Sequence, residues 1–208
     1  DISVDNNTIR HDTSQRHQHK YANNNIVHQL VLGRFLDAMA EEIRQLDTAN
    51  TLDFGCGEAL FWQQMQERGL EPQNLTGMDL RGDALEHAKS ILPQHRFLNH
   101  DILSWQPEQP YDLVIASQVL EHLPKPGEIL DKLVSLSCGH VLLSVPWEPF
   151  FRLANLARGR DILRLGNHPE HINSWGARTF TQFVAQHARI VRARQVFPFL
   201  IVVCQKSN

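Results

Sequence analysis

The residues with chemistry to offer fall into two groups: acids spaced around a glycine turn, and histidines later in the chain. In Thr51-Leu52-Asp53-Phe54-Gly55-Cys56-Gly57-Glu58-Ala59-Leu60 an apolar run ends in an acid, two glycines follow one residue apart, and a helical pattern begins. A strand that feeds such a turn into a helix brings backbone N–H groups up against a ligand. Glycine there permits φ > 0 and leaves no Cβ in the ligand's way. Asp79 comes about 20 residues further on, the interval at which an acid meets ribose hydroxyls in nucleotide sites, because a carboxylate accepts two hydrogen bonds from a cis-diol. Asp101, Ser117 and Gln118 also fall where strands are expected to end. His122 closes the run SQVLEHL, and His171 stands beside Glu170. Histidine exchanges a proton near neutral pH, so both are candidates for a base. The set His168-Pro169-Glu170-His171 suggests a metal, but it lacks a recognised ligand spacing and Pro169 breaks a helical i, i+3 face, so no metal is expected. Cys56 reads as a small residue in a tight loop rather than a nucleophile.

The elements that must position these residues alternate. Apolar residues Ile26, Leu30, Phe35, Met39 and Ile43 recur at helical spacing across 26–46. Strands are expected at 50–54, 75–80, 96–98, 111–117 and 140–145, with helices at 59–68, 83–90, 127–136 and 177–187. Two closing strands, 190–196 and 199–204, are parted by Pro198. Alternation of this kind predicts an α/β fold: a seven-stranded, mainly parallel sheet with helices on both faces and an antiparallel final strand. The chain has 208 residues, 42% apolar and 21% charged, with a formal charge of −3. That fits one domain over 1–208, with a polar arm at 1–24 and an insertion at 147–176. No long basic run occurs, so nucleic acid is not the expected partner. Three scattered cysteines make no disulfide framework, no run reaches the roughly 18 apolar residues of a membrane span, and residues 1–20 lack a signal-peptide core; the expected setting is cytoplasmic.

Two nucleotide classes compete for the glycine turn. The NAD fingerprint G-x-G-x-x-G needs a third glycine, which lets the helix approach the strand and seats a pyrophosphate; here that place is Leu60. Asp53 and Glu58 also make the loop acidic, which suits a cation. S-adenosylmethionine (SAM) carries a sulfonium and an ammonium and no phosphate. The chain resembles the class I SAM-dependent methyltransferases, in the small-molecule group that includes the ubiquinone and menaquinone enzymes. The resemblance rests on LDFGCGEA (52–59), GMDL (77–80), HDIL (100–103), YDLVIASQVLEHL (111–123), HVLLSVP (140–146) and EHINSW (170–175), and covers about residues 25–205. It departs at Ala59, where many members have glycine; a residue as small as alanine is expected to matter little. The resemblance implies a Rossmann-like methyltransferase fold and these roles. Gly55, Cys56 and Gly57 wrap the methionine part, and Asp53 supports the ammonium through water. Asp79 takes the ribose hydroxyls with Leu80 against the adenine. Asp101 accepts from the adenine amino group and Ile102 gives a backbone contact. Ser117, Gln118 and His122 line the floor near the sulfonium. An N-terminal aromatic, Tyr21, closes over the site.

Methyl transfer is an in-line displacement at a carbon bound to a good leaving group, so holding the acceptor in line and excluding water can supply much of the catalysis. A base is needed only where the acceptor must lose a proton; His122 and His171 are the candidates. Trp147, Phe150, Phe151, Arg152, Asn155 and His168 are candidates to bind the acceptor. The arginines of the insertion read otherwise as a solvated face or a weak membrane-surface contact. The expected function is methylation of a small organic acceptor at oxygen, with nitrogen, carbon, and lipid- or glycan-linked acceptors open. A SAM-binding module without transfer is the alternative outside enzymes.

Overall fold

The structure, a computed structural model, describes residues 26–148 and 172–207. Along these the elements are α1 (Ile26–Ile43), β1 (Asn50–Phe54), α2 (Leu60–Gln66), β2 (Asn74–Met78), α3 (Gly82–Ile91), β3 (Arg96–Leu98), β4 (Tyr111–Ser117), a single 3-10 turn (Leu120–His122), α4 (Pro126–Leu136), β5 (Ser137–Pro146), α5 (Ala177–Ala185), β6 (Arg189–Val196) and β7 (Phe199–Gln205). The strands form one seven-stranded sheet in the order β3-β2-β1-β4-β5-β7-β6. β1 pairs parallel with β2 and β4, β2 with β3, and β4 with β5; β7 runs antiparallel to both β5 and β6. The expected architecture holds. The one antiparallel strand is last in the chain but lies inside the sheet, because the tight β6–β7 connection folds it back between β5 and β6.

Parity along the strands divides the core. Leu113 and Ile115 of β4 face a cluster with Phe35, Met39 and Ile43 of α1 and Trp62 of α2, while Val114 and Ala116 face Leu130 and Leu133 of α4 and Phe180 of α5. A strand covered on both faces carries apolar residues at successive positions, which is why YDLVIAS reads as an unbroken run. α1 departs from its expected pattern at its start. Ile26 is 72% and Leu30 58% exposed, whereas Phe35, Met39 and Ile43 are buried. The apolar stripe meets the sheet only from its middle onward. β2 ends at Met78, two residues before the expected boundary, so Asp79 and Leu80 lie in the loop that follows it.

In such sheets ligands lie beyond the carboxyl ends of the strands, where the strand order reverses. Here that point is β1, whose chain neighbour β2 lies on one side and β4 on the other. The glycine turn leaves β1 at this place.

Candidate active site

A crevice opens above the carboxyl ends of β1 and β4. The turn after β1 supplies Gly55, Cys56, Gly57 and Glu58, and Asp53 reaches it from the strand. Ser117, Gln118 and His122 line the β4 side, and Arg81 the β2 side. Leu32 and Phe35 of α1, Leu60 and Phe61 of α2, and Phe199 of β7 complete the wall. Leu60 stands where the dinucleotide fingerprint has a bare glycine.

The turn is built differently from the expectation that its N–H groups face a ligand. The Gly55 and Cys56 N–H groups both donate to the Met78 carbonyl, at 2.7 and 3.2 Å. The Gly57 N–H donates to Asp79 Oδ2 at 2.9 Å. These three donors are bonded inward to the β2 end, so they form no cradle for a phosphate. The glycines also answer to their own neighbours. Gly55 has φ +75, and a Cβ there would lie 2.5 Å from Val119 Cγ2; at Gly57, φ +54, it would lie 3.0 Å from Arg81 Nη2. Ala59 has φ 59. An alanine in the left-handed region costs on the order of 1–2 kcal/mol, so its substitution for glycine is a source of strain rather than a neutral change.

Electrostatically the crevice is acidic at its base. Asp53 is buried, and its Oδ2 receives no hydrogen bond. Burial, and then the charge of Asp79, push its carboxyl up to about 8. The Trp62 indole N–H works against both without coming within full hydrogen-bonding geometry. Cys56 is buried too, its thiol raised far above the usual range by burial and by Asp53 and Asp79, which removes it as a nucleophile.

Asp79 is more committed than the sequence suggests. Besides the Gly57 contact, its Oδ1 accepts from the Arg81 N–H at 2.9 Å and faces the Arg81 guanidinium at 3.4 Å. A carboxylate has about four acceptor positions, so room for a ribose diol remains beside these. Arg81, which the sequence reading missed, covers this side of the crevice; its place two residues after the acid was the available signal. Leu80 is 74% exposed, a bare apolar face next to Asp79. Asp101 is exposed, its Oδ1 accepting the Leu103 N–H at 3.0 Å, and Ile102 is buried in the core, leaving only backbone to offer. Asp79, Leu80, Asp101 and Ile102 are not on the crevice wall as it stands.

His122 lines the crevice from the 3-10 turn, its Nε2 3.9 Å from Glu121 Oε1. Two carbonyls of that turn and the one just after it are clasped by residues 172 and 173: Asn173 Nδ2 donates to the Leu120 and Leu123 carbonyls, and the Ile172 and Asn173 N–H groups donate to that of Glu121. Trp147 bridges to Trp175 and packs on the core and against Phe197; it does not line the crevice. Tyr21, Phe150, Phe151, Arg152, Asn155, His168 and His171 lie outside the described residues. Among the described residues no three His, Cys, Asp or Glu side chains converge as for a metal.

The model of a methyltransferase-domain family matches residues 17–187. The chain belongs to this family. Over 93 residues this methyltransferase domain is 37% identical to the trans-aconitate 2-methyltransferase of Escherichia coli O7:K1 (strain IAI39), covering 45% of the chain and 36% of that protein. It is 30% identical over 148 residues to the trans-aconitate 2-methyltransferase of Azoarcus sp. (strain BH72), covering 69% of the chain and 58% of that protein. It thus spans less than two thirds of the length of these relatives. In fold it is similar to the magnesium protoporphyrin IX methyltransferase of Synechocystis PCC 6803 solved with bound SAH, with a TM-score of 0.70 at 16% identity over 94% of this chain and 95% of that one.

Proposed function

We propose that the chain binds S-adenosylmethionine and transfers its methyl group to an oxygen of a small organic acceptor. One observation carries the reading: the glycine turn bonds its N–H groups inward, while Asp53, a buried acid whose Oδ2 receives no hydrogen bond, is among the residues that line the crevice. A pyrophosphate would find few donors there. A cation fits, because it relieves the desolvation of the acid. When bound, SAM supplies an activated methyl group on a sulfonium. The chain's own residues then hold the ligand along β1, keep water out with Leu32, Phe35 and Phe199, and present His122 beside the floor. The trans-aconitate relatives support an acceptor with a carboxylate. A carboxylate is already a nucleophile, so His122 would orient it; an alcohol would need His122 or His171 as base. No described helix is long and apolar enough to cross a membrane, and all three cysteines are free, which supports a cytoplasmic setting.

The test combines binding with product chemistry. Titration calorimetry should give saturable binding of SAM and of S-adenosylhomocysteine (SAH). No heat from either at millimolar concentration would sink the proposal. Incubation with methyl-labelled SAM and trans-aconitate should yield label that mild base releases as methanol, the mark of a methyl ester; base-stable label would move the acceptor atom away from a carboxylate.

A further inference from the structure

At the β4 side of the crevice Gln118 has φ 59, a left-handed backbone without glycine. Strain of this kind costs on the order of 1–3 kcal/mol and persists where surrounding contacts over-determine it, most often at functional sites. Among the described residues, the hydrogen bonds that fix Gln118 go to one residue. Ser144 of β5 is fully buried and lies opposite Ser117 in the parallel β4–β5 register. Its carbonyl accepts the Gln118 backbone N–H at 2.9 Å, and its Oγ accepts Gln118 Nε2–H at 3.2 Å. The same Oγ lies 2.9 Å from Ser117 Oγ.

The direction of this chain follows from counting hydrogens. A serine hydroxyl has one hydrogen and two lone pairs. With Gln118 donating to Ser144 Oγ, the acceptor within reach of the Ser144 hydrogen is Ser117 Oγ; the opposite polarity would strand a buried donor. Ser117 is therefore left with a hydrogen to give, and Gln118 with its carboxamide oxygen, both on the crevice wall. The sheet order β2-β1-β4 sets this pair on the opposite flank of the glycine turn from Asp79. A ligand whose ribose meets Asp79 brings its other end here, past Asp53.

We propose that Ser144 is a positioning residue: it holds Gln118 left-handed and aims the Gln118 carboxamide oxygen and the Ser117 hydroxyl into the crevice as an acceptor–donor pair for the α-amino-acid head of the methyl donor. This rests on the function proposed above. An ammonium donates and a carboxylate accepts, so the head carries both complements of the pair.

The test compares SAH with 5′-methylthioadenosine, which keeps the adenosine and the thioether but lacks the head, by titration calorimetry on the full chain. Ser144→Ala should weaken SAH by about 3- to 10-fold, the loss of one modest hydrogen bond's alignment, and change methylthioadenosine by less than about 2-fold. Because Ser144 acts through Gln118, the double variant Ser144→Ala/Gln118→Ala should lose no more than Gln118→Ala alone. Gln118→Gly, which relieves the strained φ, should melt higher than the wild type and still bind SAH more weakly. Equal weakening of both ligands, no weakening of SAH, or additive losses in the double variant would overturn the proposal. Failure of the wild type to bind SAH would overturn it together with the function on which it rests.

Discussion

Asp53 is the side chain on which the crevice's electrostatics turn. A carboxyl whose pKa rises on folding binds its proton more tightly in the folded state. Its contribution to stability is complete below its unfolded value of 3.8 and falls as pH climbs toward about 8. Asp53→Asn keeps the shape and removes the titration. Across pH 5 to 8 the wild type should lose stability relative to Asp53→Asn, by up to about 1.4 kcal/mol for each pH unit. Urea melts of the two proteins at several pH values check this; a difference that stays flat with pH would mean that Asp53 is ionised in the folded chain. The instability is local and has a use. A cationic ligand that stabilises the ionised carboxylate recovers what burial costs, so the same acid that weakens the empty protein favours the loaded one.

At the scale of elements, the β1–α2 turn is held by the end of β2 and by the loops that follow β2 and β4. Gly55→Ala would force φ +75 on an alanine and drive its Cβ to 2.5 Å from Val119 Cγ2. The expected loss is about 2–4 kcal/mol. Adding Val119→Ala removes the collision but not the left-handed backbone, so the double variant should recover part of that loss in urea melts; full recovery would show that the conformation itself costs nothing. This turn also marks how far the sequence could be read. Its place after an apolar run, the acids at 53, 79 and 101, and the apolar run of β4 were all visible, since each is set by local pattern. What the N–H groups of residues 55–57 bond to was not, because their partners, the Met78 carbonyl at the end of β2 and Asp79 in the loop after it, are more than 20 residues away in sequence. Gly77 was silent for the same reason: a Cβ there would lie 2.5 Å from the Phe97 ring and 2.8 Å from Cys56 Sγ, contacts made only once three strands align. Phe199 on the crevice wall, and Ser144 behind Gln118, were silent in the same way.

Across the whole molecule, α1 joins parts of the chain far apart in sequence. Its C-terminal half is tied to β6, where Glu42 accepts from Arg192 Nε at 2.7 Å and Glu41 pairs with Arg194. In its middle, Phe35 lies against Phe199 of β7 with ring centroids 4.4 Å apart, and Leu32 and Phe35 wall the crevice. Its start leaves Ile26, Val27 and Leu30 exposed. Few buried contacts imply low local stability, so α1 should open from its start while its end stays anchored to the sheet. A ligand in the crevice would contact the middle of the helix and penalise such openings. Amide exchange with SAH present should therefore slow at residues 32–36 and in the turn at 55–60, by up to about 100-fold when the ligand stands at 100 times its Kd. Residues 40–43, already fastened to β6, should change little. Uniform slowing along all of α1 would instead mean that the helix opens as one unit and that its ion pairs to β6 do not divide it. Slowing confined to the turn would remove α1 from the binding wall.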